Sequence, residues 1–202
     1  MNILVSMRIA ENATYPERRD AISHDWSVYL DSLGILPVLV PNALPDPVRY
    51  LDLGVRGLLL TGGDDLGPSG QPTQRDNTED ILLTEALRRG LPVFGVCRGL
   101  QMLNRHYGGA VSAKLPEPHV GDHPVTMSDG TERMVNSFHN QGVMAGQLAP
   151  SLKAFAQTRL GVVEAVRHVD APVMAVQWHP ERPNPSADLD RQLMQEWLAR
   201  CA

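Results

Sequence analysis

The chain has 202 residues, 43% of them hydrophobic and 20% charged, which is the composition of an ordinary folded domain. Its 18 Lys and Arg residues are outnumbered by 23 Asp and Glu residues, and the resulting net charge of −5 argues against sequence-independent nucleic-acid binding. Two cysteines exclude a disulfide-rich secreted scaffold, and every apolar run falls short of the roughly 18 residues that span a membrane.

These bounds predict one domain over residues 1–202. The apolar start, residues 1–6, is too short for the apolar core of a secretion signal. We therefore expect a cytoplasmic protein without a membrane partner.

The first hundred residues alternate short apolar runs with helical patterns. In chain order they predict strand 3–6, helix 22–33, strand 36–40, strand 57–61, helix 78–87 and strand 92–96. Gly34 and Gly90 follow the two helices, as C-terminal glycines commonly do. This alternation predicts an α/β fold: a three-layer, doubly wound, mostly parallel sheet with helices on both faces.

The second half has a different pattern, because short apolar runs follow one another between Gly and Pro residues. Strands are predicted at 110–112, 124–127, 133–136, 153–158, 162–167 and 173–178, some of them antiparallel. Apolar residues at helical spacing over 189–198 predict a closing helix. The long loop 62–77, rich in Gly, Pro and Asp, has the length of a functional loop.

The strongest local motif is residues 95–99, Gly-Val-Cys-Arg-Gly, between a buried strand and a helix. This is the nucleophile-elbow pattern with Cys97 in place of serine. The turn would present Cys97 at the carboxyl end of the sheet, where α/β proteins bind ligands. The helix that begins near Arg98 would favour the thiolate form of the sulfur. The alternative is a buried structural cysteine.

A thiolate nucleophile needs a base and a group that orients the base. His179 and Glu181 end a predicted strand, where residues two apart point the same way, and Pro180 stiffens the link. A carboxylate beside an imidazole holds its tautomer and stabilises its cation. The alternative is a surface histidine and glutamate, but with the cysteine elbow we favour a Cys97–His179–Glu181 triad.

An acyl-transfer site also needs amide donors for the developing oxyanion. Gly62 and Gly63 follow the third predicted strand, and glycines allow backbone N–H groups to turn toward a ligand. The amide of Arg98, directly after the nucleophile, would supply the second donor. The alternative is an ordinary Gly-Gly turn.

Two groups of residues have the side chains of metal ligands. Asp64 and Asp65 form an acidic pair, and His119, Asp122 and His123 lie close together in a predicted loop. The acidic pair lacks other ligands at matching spacing, and loop histidines are usually solvated or hydrogen bonded. We therefore predict neither a metal site nor a cofactor.

Four motifs together resemble the class I glutamine amidotransferase superfamily, and more narrowly its stand-alone γ-glutamyl hydrolases, such as γ-glutamyl-γ-aminobutyrate hydrolase. They are residues 61–64 (Thr-Gly-Gly-Asp), 95–101 (Gly-Val-Cys-Arg-Gly-Leu-Gln), 135–141 (Val-Asn-Ser-Phe-His-Asn-Gln) and 178–181 (Trp-His-Pro-Glu). The resemblance implies a flavodoxin-like fold and a small γ-glutamyl substrate. The chain is shorter than typical γ-glutamyl-γ-aminobutyrate hydrolases, which leaves the leaving group open.

The resemblance also implies roles for individual residues. Cys97 would form a glutamyl thioester, and His179 would protonate the leaving amine and then activate water. Gln101 would contact the glutamyl group. The glutamyl α-amino and α-carboxylate groups would be held, largely through the backbone, by Phe138, His139, Asn140 and Gln141.

The N-terminal part, residues 7–26, looks similar to short hydrolases of capsule modification, which cleave a γ-glutamyl-linked cytidine-diphosphate amidate. Arg8, Arg18 and Arg19 would then contact the phosphates of the leaving group, since arginine suits bidentate phosphate contacts. The alternative is a solvated helix start.

Two other functions are compatible with these motifs. A glutaminase subunit would pass ammonia to a synthase on another chain, because this chain has neither room for an ammonia-accepting domain nor a P-loop. A non-catalytic binding module would have lost a triad residue, so we rank it last. Cys201, near the C-terminus, is expected to be an exposed, inert thiol. Trp178 either shields the site or packs in the core.

Overall fold

The structure, a computed structural model, describes residues 1–116 and 119–202, without the side chain of His119. Its four α-helices are α1 (His24–Ser32), α2 (Gln74–Arg88), α3 (Arg98–His106) and α4 (Ala187–Arg200). Two short 3-10 helices cover Val48–Asp52 and Ala145–Gln147. No helix in the described ranges is both long enough and apolar enough to cross a membrane.

Fourteen strands are present in the described residues. They are β1 (Asn2–Ser6), β2 (Arg8–Glu11), β3 (Arg18–Ala21), β4 (Leu36–Val40), β5 (Leu58–Leu60), β6 (Val93–Val96), β7 (His119–Val120), β8 (His123–Met127), β9 (Glu132–Val135), β10 (Phe138–His139), β11 (Val143–Met144), β12 (Leu152–Gln157), β13 (Val162–His168) and β14 (Val173–Val176).

Ten of these strands form the central sheet. Five run parallel, in the spatial order β4-β1-β5-β6-β14, and the register pairs Val5 of β1 with Leu39 and Leu59 of its neighbours. In chain order this is 2-1-3-4-5, the flavodoxin-like arrangement. The sheet continues antiparallel through β13, β12, β8 and β9, and β11 pairs with β13. Both the mostly parallel core and the antiparallel strands of the second half are therefore confirmed.

The parallel strands are apolar on both faces, which gives the molecule two core layers. In β1, Ile3 and Val5 pack on the side of α1 and α4, whereas Leu4 packs on the side of α2 and α3. Side chains of a strand alternate between faces, so a strand covered on both sides must be apolar throughout. This explains the continuous apolar runs and confirms the three-layer arrangement.

Two pairs of strands lie outside the central sheet. β2 and β3 form an antiparallel hairpin in which Arg8 is opposite Ala21. Arg8, Arg18 and Arg19 therefore lie on strands, and the alternative of a solvated helix start for this segment is wrong. β10 pairs with β7, with Phe138 opposite Val120, so part of the polar segment after Ser137 is a short strand.

Helix α2 begins at Gln74, four residues before the predicted start at Thr78. The Thr73 side chain accepts a hydrogen bond from the Asp76 amide and the Asp76 carboxylate accepts one from the Thr73 amide, which is a capping box. The pattern of apolar residues did not predict this first turn, because its buried residues include Arg75 and Asp76, which are charged.

Two further expectations are wrong. Residues 110–112 form no strand; only an isolated bridge joins Ser112 to Gly142. Cys201 is buried rather than exposed, with 2% of its surface accessible, and its Sγ lies 3.5 Å from the Trp197 carbonyl oxygen. Helix α4 carries the cysteine into the apolar layer, which raises the pKa of its thiol to about 11 through burial.

Candidate active site

Four segments that carry predicted site residues follow the carboxyl ends of parallel strands. Arg8 follows β1, Gly62 follows β5, Cys97 follows β6 and His179 follows β14. Carboxyl ends of parallel strands share one edge of a sheet, which is where open α/β sheets bind ligands. The topology thus brings together four segments that are up to 171 positions apart along the chain.

Cys97 lies on a sharp turn between β6 and α3. Its φ of 54° makes it the one non-glycine residue with positive φ in the described ranges. A Cβ on Gly99 would lie 2.3 Å from the Leu60 carbonyl oxygen, and one on Gly95 would lie 2.8 Å from the Gly99 backbone. Both glycines of the motif are therefore required by close backbone packing around the elbow.

Cys97, His179 and Glu181 lie together, all nearly buried. The Nδ1 atom of His179 is 2.7 Å from Oε1 of Glu181. A Cβ on Gly62 would be 2.9 Å from Cε1 of His179 and 3.3 Å from Cβ of Cys97, so the imidazole and the cysteine border the same glycine. The strand before His179 ends at Val176, so a turn, and not an extended segment, brings His179 and Glu181 together.

The surroundings of His179 favour its cationic form. Burial alone would lower the pKa of His179, but hydrogen bonds to Cys97 and Glu181 and the negative charges of those groups raise it to about 9. A histidine flanked by a thiolate and a carboxylate is held as an imidazolium. The arrangement can therefore provide a sulfur nucleophile and a proton donor side by side.

Two buried amide side chains that the sequence analysis did not assign support these groups. Asn136 accepts a hydrogen bond from the His179 amide and donates one to the His179 carbonyl oxygen, both 2.8 Å long. Gln177 points its Nε2 at Sγ of Cys97, 3.5 Å away. Asn136 lies in the motif over residues 135–141, and Gln177 directly precedes the motif over residues 178–181. Their contacts join residues 43 and 80 positions apart, so the sequence alone could not show them.

The backbone amides of Gly62, Gly63 and Arg98 have no acceptor within the described residues. Gly63 has φ of +131°, a conformation that side chains rarely adopt. Unpaired amides beside a nucleophile are what an oxyanion requires. The structure thus brings both predicted donor segments to the site.

Among the predicted glutamyl-binding residues, Gln101 contacts the backbone of Gln141. Its Nε2 donates to the carbonyl oxygen of Gln141, 3.0 Å away, and the same oxygen lies 2.9 Å from Nδ1 of His139. His139 is buried, with its Nε2 3.7 Å from Glu164, whereas Asn140 is exposed. Phe138 is half-exposed and meets the His179 ring edge to face, with centroids 5.6 Å apart.

The three predicted arginines differ in position. Arg8 lines the cleft beside His179, together with Gly63 and Arg182. Arg18 and Arg19 pair with the exposed carboxylates of the hairpin and do not line this cleft. No sequence motif marked Arg182, whose guanidinium lies 4.4 Å from the ring centroid of Phe138. Two arginines therefore face one side of His179.

Asp64, considered above as part of an acidic pair, binds Arg75 at 2.6 Å. No group of three His, Cys, Asp or Glu side chains suited to a metal ion occurs among the described residues. The side chain of His119 lies outside them. Trp178 packs in the core, fully buried, and donates a 2.7 Å hydrogen bond to Asp190.

Known proteins are similar in sequence to this chain over most or nearly all of its length. One is a γ-glutamyl-CDP-amidate hydrolase from Campylobacter jejuni, 28% identical over 98% of both chains. Others are NtpR from Enterococcus hirae, 33% identical over 78% of this chain and 80% of that one, and the γ-glutamyl-γ-aminobutyrate hydrolase PuuD from Escherichia coli, 29% identical over 86% and 84%.

A solved structure has the same fold. This protein of Thermoplasma acidophilum, described as a putative subunit of GMP synthase, superposes with a TM-score of 0.76, covering all of this chain and 94% of that one at 22% identity. The family model for class I glutamine amidotransferases matches residues 19–191. The chain therefore belongs to the class I glutamine amidotransferase family.

Proposed function

We propose that the protein is a cysteine hydrolase that cleaves the γ-glutamyl amide bond of a small γ-glutamyl conjugate and releases glutamate. The observation that carries the proposal is the elbow at Cys97, with His179 and Glu181 beside it and unpaired amides next to the sulfur. The names of two relatives, both γ-glutamyl amide hydrolases, support the substrate class.

In the first half of the reaction, the Cys97 thiolate attacks the γ-carbonyl carbon. The C–S bond forms as the carbonyl π electrons move to oxygen, where the amides of Gly62 or Gly63 and of Arg98 stabilise the oxyanion. Collapse breaks the C–N bond, and the imidazolium of His179 gives its proton to the departing nitrogen. The products of this half are a glutamyl thioester and a free amine.

In the second half, His179 takes a proton from water, which attacks the thioester carbon. A C–O bond forms, the C–S bond breaks, and glutamate and the Cys97 thiolate are released. Glu181 keeps the imidazole in the required tautomer and stabilises its cation in both halves. Gln101 and the backbone of residues 138–141 hold the glutamyl α-amino and α-carboxylate groups.

The leaving group lies on the side of Arg8 and Arg182, because these residues share the cleft with His179, which must reach the departing nitrogen. Guanidinium groups bind phosphates and carboxylates. This side therefore suits an anionic leaving group, such as γ-aminobutyrate or cytidine diphosphoramidate, in which the departing nitrogen stays bonded to phosphorus. Arg18 and Arg19 are not assigned this role, because they pair with Glu11 and Glu17 and do not line the cleft.

The experiment measures glutamate release by the isolated protein from glutamine, γ-glutamyl-γ-aminobutyrate and γ-glutamyl-CDP-amidate. We expect one conjugate to be cleaved much faster than glutamine, and Cys97→Ser to abolish its turnover while it still binds. Cys201→Ala, which removes the other thiol, should keep the wild-type kcat. Absence of turnover by the folded protein would overturn the proposal and favour a partner-dependent glutaminase, and retained activity of Cys97→Ser would overturn the triad.

A further inference from the structure

A network of buried ion pairs lies next to the site, and none of its side chains has a role in the proposed reaction. It runs from Asp64 through Arg75 and Glu79 to Arg98, with Asp76 and Arg105 attached to its far end. The side chains of Arg75 and Glu79 are 0% exposed, and that of Arg98 is 2% exposed. Removing ions from water is costly, and such pairs seldom add net stability, so their presence here calls for a reason other than stability.

Arg75 binds the backbone on which two candidate oxyanion donors lie. Its guanidinium donates to the carbonyl oxygens of Thr61, at 2.7 Å, and Gly62, at 3.1 Å. In a trans peptide, the C=O of one residue and the N–H of the next point in opposite directions. Holding these two carbonyl groups therefore turns the N–H groups of Gly62 and Gly63 away from Arg75, and both lack an acceptor within the described residues.

The same network of ion pairs also reaches Arg98, whose amide is the other candidate donor. Glu79 accepts a 2.8 Å hydrogen bond from Nε of Arg75 and a second one from the Arg98 guanidinium. Arg98 directly follows Cys97, and its amide is the second predicted donor. One carboxylate on α2 thus ties the segment after β5 to the first residue of α3.

We propose that Arg75, with Glu79, is a positioning residue that orients both halves of the oxyanion hole. The proposal rests on the proposed function, because it assumes acyl transfer at Cys97. Lysine cannot replace arginine here, since one ammonium group cannot bind two carbonyl oxygens and two carboxylates in a fixed plane. Arg75→Lys should therefore keep the buried charge and lose the orientation of the amides.

The test compares reactions that need an oxyanion hole with one that does not. Alkylation of Cys97 by iodoacetamide, followed at this residue by mass spectrometry, needs only the thiolate. The aldehyde 5-oxopentanoate, a glutamyl analogue without the amino group, adds to the thiolate and places its oxygen in the hole. We expect Arg75→Lys to lower kcat and aldehyde affinity about 100-fold, a loss typical of one missing donor, with KM and alkylation nearly unchanged.

Matched variants keep the test decisive. Arg88→Lys, on an exposed part of the same helix, should match the wild type in every reaction. If Arg75→Lys does not fold, Asp64→Asn replaces it, because Asp64 is a quarter exposed and pairs with Arg75 alone among the charged residues that the structure describes. A folded variant with unchanged aldehyde affinity overturns the proposal, and so does a parallel loss of alkylation.

Aldehyde binding also separates this inference from the proposed function. If the wild type hydrolyses no γ-glutamyl amide but binds the aldehyde through Cys97, the substrate assignment fails and the comparison of variants still decides the role of Arg75. If the wild-type protein does not bind the aldehyde at all, no oxyanion hole exists at Cys97, and the positioning role is overturned with it.

Discussion

Nδ1 of His179 and Oε1 of Glu181 are 2.7 Å apart, and both side chains are almost fully buried. At this depth a carboxylate strongly favours the protonated imidazole, because water screens little of their attraction. The pair therefore determines the pH range in which His179 can act as a proton donor.

The activity of the wild type should fall as the pH rises through about 9, the value to which the pKa of His179 is raised, because the imidazole then has no proton for the leaving amine. Glu181→Gln should move this alkaline limb to lower pH and reduce kcat on the order of 100-fold or more. The measurement is kcat against pH for both proteins. An alkaline limb that stays near pH 9 in Glu181→Gln would contradict the assignment of Glu181.

The raised pKa of His179 also has a consequence for folding. The folded state binds this proton more tightly than the unfolded chain does, so the stabilisation is complete below the ordinary histidine pKa of 6.5 and is lost as the pH rises through about 9. Urea unfolding of the wild type should therefore give a lower free energy at pH 9.5 than at pH 6.5. His179→Gln should lose this part of the pH dependence, and an unchanged difference would refute the assignment.

Gly62→Ala tests the close contact between the glycine and His179. The new Cβ would lie 2.9 Å from the imidazole, so the ring must shift from its position beside Cys97. Displacements of this kind cost about 100-fold in rate, and we expect that loss in kcat. Gly146→Ala is the control, because nothing lies within 4 Å of its added Cβ.

Arg8 and Arg182 should determine affinity for an anionic leaving group. Loss of one hydrogen bond to a charged group corresponds to a rise in KM of about 10-fold or more. We expect this rise for Arg8→Gln and Arg182→Gln with γ-glutamyl-CDP-amidate, and little change with a neutral γ-glutamyl anilide. Arg18→Gln and Arg19→Gln are the controls on the hairpin. Equal effects on the charged and neutral substrates would argue against an anion-binding role.

Thr73→Ala removes one side of the capping box of α2. Loss of such a cap costs about 1 kcal/mol of unfolding free energy. Thr73→Ser keeps the hydroxyl oxygen and should stay near the wild-type value. Equilibrium unfolding in urea measures both, and equal stability of the two variants would show that the cap has no effect.

The elements of the parallel sheet could be predicted because their strands read as unbroken apolar runs, and those inside the sheet are buried on both faces. The motif at Cys97 and the pair His179 and Glu181 were found because each is local in sequence. Arg75 and Glu79 were not, since buried charges disturb the apolar pattern of a helix. Most of their partners lie 11 to 19 positions away, and no rule of spacing connects them.

The lack of room around Gly99 has a wider consequence. The backbone of α3 at Gly99 packs directly against the carbonyl group of Leu60, the last residue of β5. The nucleophile and the segment after β5 therefore cannot shift independently. The hairpin that carries Arg8, by contrast, contributes no strand to the central sheet. Under the proposed function, substitutions at Arg8 would alter which amine is accepted while Cys97, His179 and Glu181 stay in place. For an enzyme of the proposed function, this separation would let related proteins evolve specificity for different conjugates while keeping the same catalytic residues.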